Sequence, residues 1–232
     1  MAEGLEGRPE RLLIRYPNSQ GGLFHDFLTG ELTTLDIGAA STEVSAYLWL
    51  GIEHIGLGWD HLLFIFALFL LIRGARRLFW AVTAFTLGHS LTLGWAVLGG
   101  STPPPEATEA LIALSLLLLA VELSRSDAES ESWTMRAPWV LALICGLVHG
   151  FGFAGALLEL GVPRDSVVSA LFLFNLGVEV GQLLLIAALA LGAFMIRRSG
   201  SKLSPRMTSL GLYLLGTAAA YLSLDRTLAC FT

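Results

Sequence analysis

The chain has 232 residues, of which 54% are hydrophobic and 14% are charged. Soluble domains carry about 25% charged residues, so this composition and a mean hydropathy of +0.69 argue against an ordinary cytosolic enzyme. The net charge of −5, with no basic stripe, argues against nucleic-acid binding, and two cysteines are too few for a disulfide framework. The sequence therefore predicts an all-α polytopic membrane protein in contact with lipid.

Residues 1–42 differ from the rest because they are polar, rich in glycine and mixed in charge. They lack the basic start, apolar run and cleavage site of a signal peptide. Residues 11–16 and 31–37 could form short strands on either side of a turn-rich stretch at 17–22. We expect a small extracytoplasmic segment, the remnant of a larger N-terminal domain.

Six apolar segments follow and predict a transmembrane bundle over residues 43–226, with a tail at 227–232. The first segment is 29 residues long and contains Gly56 and Gly58. It is either an interfacial turn followed by a span or one kinked helix, and splitting it gives seven helices instead of six. The segments are residues 44–72, 78–98, 107–123, 138–158, 167–196 and 207–224.

Basic residues orient this bundle, since loops rich in Lys and Arg stay in the cytoplasm. Nine of the 14 basic residues lie in the loops after the first, third and fifth segments. Both termini are then extracytoplasmic, and a bacterial inner membrane is the expected location. The nine are Arg73, Arg76, Arg77, Arg125, Arg136, Arg197, Arg198, Lys202 and Arg206.

Polar side chains within the apolar segments are the main indication of function. A charge at bilayer depth costs roughly 2.5–3.5 kcal/mol on insertion scales, so such residues need partners and usually a role. His54 and His61 are seven residues apart, which would place them on one face of a helix. The full set comprises Glu53, His54, Asp60, His61, His89, Cys145, His149, Asn175, Glu179 and Gln182.

Glycine pairs surround two of these positions. Gly146 and Gly150 bracket His149, and Gly177 and Gly181 bracket Glu179. Because two small residues spaced by four let helices approach closely, we expect these helices to meet around the polar groups.

A cluster of imidazoles and carboxylates predicts a site for a divalent transition metal. Imidazole suits zinc, copper, iron and nickel, and burial favours the neutral form that binds metal. The open alternative is local pairing, with Asp60 bound to a protonated His61 and each other histidine hydrogen-bonded to a neighbour. The predicted ligands are His54, Asp60, His61, His89, His149 and Glu179, with Asn175, Gln182, Glu53 and Cys145 orienting them.

Four blocks of this sequence resemble blocks of the HupE/UreJ family of membrane proteins, and they occur in the same order along the chain. They are GIEHIGLGWDHLLF at 51–64, TAFTLGHSLTL at 83–93, LVHGFGFA at 147–154 and FNLGVEVGQL at 174–183. The resemblance covers residues 44–224 and implies a secondary permease for nickel, or sometimes cobalt, that supplies hydrogenase and urease maturation. It also implies that His54, Asp60 and His61 form a metal motif.

The resemblance leaves other functions and metals open. The glycine-rich block holds one histidine, His149, where some nickel permeases carry two, so zinc, cobalt and copper remain alternatives. An intramembrane zinc hydrolase of the ceramidase-like type would use Asp60 or Glu179 as general base. A non-transporting metal-binding accessory protein is the third candidate. A homo-oligomer or a complex with a membrane partner is compatible with each of these three functions.

Overall fold

The computed structural model describes residues 12–17, 23–28, 42–125, 136–159, 166–199 and 205–231. These residues form a two-stranded sheet and seven α-helices. The elements are β1 (Leu12–Pro17), β2 (Leu23–Leu28), α1 (Thr42–Leu57), α2 (Trp59–Leu71), α3 (Ala75–Val97), α4 (Pro105–Arg125), α5 (Pro138–Glu159), α6 (Val167–Arg198) and α7 (Pro205–Ala229).

The N-terminal part is a β-hairpin. β1 and β2 pair antiparallel, with Leu12 opposite Leu28, and β2 contacts α1. β1 confirms the first predicted strand to within one residue. Its partner is β2, which the sequence did not predict, because the strand returns directly after the turn-rich stretch. The second predicted strand, residues 31–37, lies outside the described residues.

The first apolar segment is two helices joined at Gly58. The backbone of Gly58 is extended, at φ −76° and ψ 102°, and the two helices are bent by 72° relative to each other. Main-chain hydrogen bonds cross the junction, from Gly58 N to His54 O and from Leu62 N to Gly58 O, each 3.0 Å. Both forms predicted from the sequence contain such a bend, so the number of spans in this segment stays a prediction.

Three helices of the described chain, α4, α5 and α6, are long and apolar enough to cross a membrane, and α1 with α2 adds a fourth if the bent pair is one span. The chain is thus a helical membrane protein. The count of six spans stays a prediction. α3 has 23 residues, which at 1.5 Å per residue is about 35 Å, enough to cross a hydrocarbon core.

One close backbone contact joins α3 to α5. A Cβ atom at Gly88 would collide with the Leu143 carbonyl oxygen, and one at Gly146 with the Phe85 carbonyl oxygen. Gly150 in the same way lies against the His89 backbone. The expected approach around Gly146 and Gly150 is confirmed. Because the contact advances toward the C-terminus on both helices, α3 and α5 run parallel.

A second backbone contact joins α1 to α6. Gly177 lies against the Leu48 carbonyl, and Gly181 lies against Ile52 one turn later on each helix. These two helices also run parallel, and the predicted approach at Gly177 and Gly181 is confirmed. Both glycine contacts therefore hold main chain against main chain on the helices that carry the polar residues.

We expect Gly146→Ala to lower the stability of the protein in detergent by about 1–3 kcal/mol, the usual cost of overpacking a tight contact. The matched control is Gly192→Ala in α6, where an added Cβ meets nothing within 4 Å. Thermal unfolding of both variants, followed by size-exclusion of the remaining monodisperse protein, measures the difference. Equal melting temperatures would contradict the packing described.

Candidate metal centre

The bend at Gly58 brings His54 and His61 together. His54 lies in the last turn of α1 and His61 in the first turns of α2, and their ring centroids are 4.4 Å apart. In a continuous helix seven residues rise about 10.5 Å. The prediction that His54 and His61 share one face of a continuous helix was therefore wrong, because the two side chains meet across the bend between α1 and α2.

His89 of α3 completes a group of three. One ring nitrogen from each of His54, His61 and His89 lies within 4.8 Å of the others, close enough to hold one metal ion. His149 of α5 flanks the group, with its ring centroid 5.1 Å from that of His61. His61, His89 and His149 are buried, and His54 is half-buried. Helices from three separate stretches of chain thus converge on one point.

Each of these four imidazoles has a buried nitrogen with no hydrogen-bond partner among the described residues. The atoms are Nε2 of His54, His61 and His89, and Nδ1 of His149. Leaving a buried polar atom unpaired costs about 1–3 kcal/mol, and most buried groups avoid it. Four unpaired imidazole nitrogens close to one another are typical of a cation-binding site.

Asn175 of α6 fixes which nitrogen His89 offers. The Asn175 amide Nδ2 donates to the Leu171 carbonyl at 2.8 Å, which turns Oδ1 toward His89 Nδ1 at 3.2 Å. Because Oδ1 only accepts, Nδ1 of His89 carries the proton. The lone pair of the neutral ring is then on Nε2, which is the unpaired nitrogen of the group.

Ser115 of α4 does the same for His149. Its hydroxyl donates its one proton to the Ile112 carbonyl at 2.6 Å, and its Oγ lies 3.4 Å from His149 Nε2. The Ser115 oxygen can then only accept, so Nε2 of His149 carries the ring proton. The lone pair is left on Nδ1, again the unpaired nitrogen. Hydrogen bonds of this kind set ligand orientation in metal sites.

Phenylalanine rings line the histidine group. The Phe153 centroid lies 4.2 Å from that of His54, and Phe153 and Phe174 stack at 4.8 Å with an interplanar angle of 3°. Phe85 lies 5.1 Å from His149. These rings exclude water, which strengthens electrostatic interactions inside the site.

Glu179 of α6 belongs to a separate polar cluster. Thr83 Oγ1 donates to its Oε1 at 2.6 Å and Thr86 Oγ1 to its Oε2 at 2.5 Å. Thr86 Oγ1 also lies 3.0 Å from Gln182 Oε1. Both carboxylate oxygens thus accept hydrogen bonds from α3, and Glu179 is not a member of the group His54, His61 and His89, whose ligand atoms all lie within 4.8 Å of one another.

The remaining predicted site residues lie around the histidine group without joining it. Asp60 is half-buried next to His61, and the charges that act on it are those of Arg226 and Glu109. Glu53 is half-buried beside His54, and Cys145 is buried one turn before His149. Their roles, and those of Asp60 and Glu179 as ligands, stay predictions.

Two residues that hydrogen-bond the predicted site residues, Ser115 and Thr83, were not predicted from the sequence. Ser115 is one hydroxyl in an apolar stretch of α4, and such a hydroxyl is usually satisfied by its own backbone. Thr83 lies one turn before Thr86, and this i, i+3 pair facing the polar stripe of α6 was the available signal.

We expect Ser115→Ala to weaken metal binding by about 10–100-fold, since the second nitrogen of His149 loses its acceptor and the ring loses its orientation. The control is Ser124→Ala on the same helix, whose hydroxyl bonds the Val121 carbonyl at 2.7 Å and touches no histidine. Titration calorimetry with Ni²⁺ and with Zn²⁺ measures the metal affinity of both variants. Unchanged affinity in the Ser115 variant would contradict the tautomer assigned to His149.

A family model described as HupE / UreJ protein matches residues 30–226 of the chain. No curated protein and no solved structure matches it.

Proposed function

This chain belongs to the HupE/UreJ family, and from that premise we propose that it is a membrane permease for a divalent transition metal. The observation that carries the proposal is the group of His54, His61 and His89, whose ligand nitrogens lie within 4.8 Å of one another. The metal is the transported substrate. Imidazole donors favour transition metals over magnesium and calcium, which take oxygen ligands.

The proposed resting site uses the three histidines, with His149 as a fourth nitrogen donor. Its support is the set of unpaired nitrogens and the two hydrogen bonds that His89 and His149 donate, to Asn175 and Ser115, which leave a lone pair on the other nitrogen of each ring. Nickel is the first candidate, and cobalt, zinc and copper are the alternatives. A site of neutral imidazoles binds a cation and releases it without breaking a strong charge pair, which suits transport.

Carboxylates on either side of the histidines suggest a route. Asp60 lies at the start of α2, near Glu109, and Glu179 lies beyond the group, bonded to Thr83 near the start of α3. We propose that Asp60 receives the cation and Glu179 takes it onward. An inside-negative membrane potential favours inward cation movement by about 2.3 kcal/mol per charge per 100 mV.

We also propose six spans with both termini extracytoplasmic, in a bacterial inner membrane, with α1 and α2 counted as one broken span. In that topology α1 and α6 run one way and α3 and α5 the other, which agrees with their parallel contacts. α4 and α7 should run antiparallel. The ion pair between Glu109, near the start of α4, and Arg226, near the end of α7, supports this.

Transport is tested by Ni²⁺ uptake into proteoliposomes with an inside-negative potential. We expect His61→Ala and His149→Ala to lower both uptake and bound metal at least tenfold, because each removes a nitrogen donor. The control is His25→Ala, which removes a histidine from β2. Equal metal content in the wild type and both site variants would reject the ligand assignment.

The topology is tested with the native cysteines. Cys145 is buried and Cys230, beyond the end of α7, is exposed. We expect a membrane-impermeant maleimide to label intact spheroplasts at Cys230, and Cys230→Ser to abolish the labelling. Labelling confined to inverted vesicles would place the C-terminus in the cytoplasm and contradict the proposed orientation.

A zinc hydrolase is the second candidate, since three histidines with an open fourth position are the coordination of a catalytic zinc. The specific observation in its favour is that the group within 4.8 Å contains histidines only. Its general base would be Asp60 or Glu179. Metal binding without any flux, together with hydrolysis of an amide-linked lipid, would favour the hydrolase; binding without flux or hydrolysis would favour an accessory protein.

A further inference from the structure

Gly58 stands immediately before α2, at a position where helices usually carry a polar side chain. It is the N-cap residue of α2, and no side-chain hydrogen bond caps this helix. Ser, Thr, Asp and Asn lead at this position, because their side-chain oxygen accepts from a main-chain N–H two or three residues later. The third residue of α2 is His61. A capping side chain at position 58 would therefore point toward the turn that carries this histidine.

The backbone of Gly58 does not itself require glycine. Its φ of −76° and ψ of 102° lie in the extended region that every L-amino acid adopts, so alanine would fit these angles without strain. Among the glycines of the described residues, Gly74 and Gly99 have positive φ, and Gly58 does not. What requires glycine at position 58 is the space around its Cα atom.

This space is filled by the two histidines on either side of the bend. A Cβ atom at position 58 would lie 2.6 Å from His61 Nδ1 and 2.7 Å from the His54 carbonyl oxygen. Both separations are well below van der Waals contact. The His61 ring thus lies with Nδ1 toward the bare main chain of Gly58, and its other nitrogen, Nε2, is the one without a partner among the described residues.

We propose that Gly58 is a positioning residue of the metal site and acts through the His61 ring. This inference rests on the proposed function, in which His61 is a metal donor. A methyl group at position 58 would turn the His61 ring or open the bend, and either movement takes Nε2 away from the other donors. Because a binding group of this kind has to be held to about 0.5 Å, such a shift removes one donor from the site.

The test is the Ni²⁺ affinity of Gly58→Ala in detergent, measured by titration calorimetry. We expect this variant to bind about 10–100-fold more weakly than the wild type, the usual effect of disturbing a group that orients a metal ligand. The matched control is Gly56→Ala, two residues earlier, where an added Cβ meets nothing within 4 Å. The control should bind as the wild type does, and equal affinity in all three proteins would overturn the proposal.

A double-mutant cycle separates an effect on the His61 ring from a general effect on the fold. Gly58→Ala should weaken binding clearly less in a His61→Ala background than in the wild type, because the displaced ring is already absent. Bound Co²⁺ adds a spectroscopic readout, since its ligand-field bands should change in Gly58→Ala in the same way as in His61→Ala. Equal losses of affinity in both backgrounds, or a wild-type Co²⁺ spectrum, would contradict the role of Gly58.

A measurement on the wild type covers the case in which Gly58→Ala does not fold. Because His61 Nδ1 lies against Gly58, the metal should bind at Nε2 of this ring. Long-range ¹H–¹⁵N correlation spectra of the Zn²⁺-loaded protein distinguish the two nitrogens, and the His61 signals are identified by their loss in His61→Ala. Coordination through Nδ1 would overturn the proposal.

These outcomes separate the role of Gly58 from the permease function. Weakened binding in Gly58→Ala, together with no Ni²⁺ flux in the wild type, would reject the permease and support the role of Gly58. Ni²⁺ flux in the wild type, together with unchanged binding in Gly58→Ala, would reject the role of Gly58 alone. A wild-type protein that binds no metal would overturn both.

Discussion

The structure depends on burying imidazole nitrogens that accept no hydrogen bond from any of the described residues. Each unpaired nitrogen costs about 1–3 kcal/mol, and four of them lie in one region between the helices. A fold optimised for stability alone would pair them. Here Asn175 and Ser115 instead satisfy the opposite nitrogens of His89 and His149 and leave the lone pairs open. Under the proposed function a bound cation would recover this cost, so part of the free energy of metal binding would be stored in the fold.

The position of Glu179 outside the histidine group follows from its own hydrogen bonds. Glu179 accepts hydrogen bonds from Thr83 and Thr86 on both oxygens, and the group whose ligand atoms lie within 4.8 Å of one another contains histidines only. Under the proposed function, a carboxylate inside the group would bind a divalent cation more tightly and release it more slowly, so a group of imidazoles alone would favour release.

The helices and the convergence of the histidines could be predicted from the sequence, because apolar run length and glycine spacing are local signals. Gly146 and Gly177 marked the close contacts correctly. The bend at Gly58 could not be decided, since Gly56 and Gly58 are compatible with both a turn and a kink. The partner of His149 could not be found either, because Ser115 contacts it from 34 residues away and only the packing of α4 on α5 joins them.

The partner of β1 and the bonding of Glu179 illustrate the same limit. β2 is as long as β1, but its sequence LFHDFL does not alternate apolar and polar residues and so gives no strand signal by itself; it is paired along its length with β1. The spacing of the polar residues on α6 predicted a polar stripe. The residues of α3 that face this stripe could not be predicted, because they depend on how α3 is rotated about its axis in the packed bundle.

The glycine contacts have a consequence for how closely the helices that carry the histidines can pack. Gly88 and Gly146 place the main chain of α3 directly on that of α5, and Gly51 and Gly177 do the same for α1 and α6. No smaller side chain exists, so substitution cannot bring either pair of helices closer. A larger residue at Gly88 or Gly146 would separate α3 from α5, and would therefore move His89 away from His149, the two histidines that this pair of helices carries.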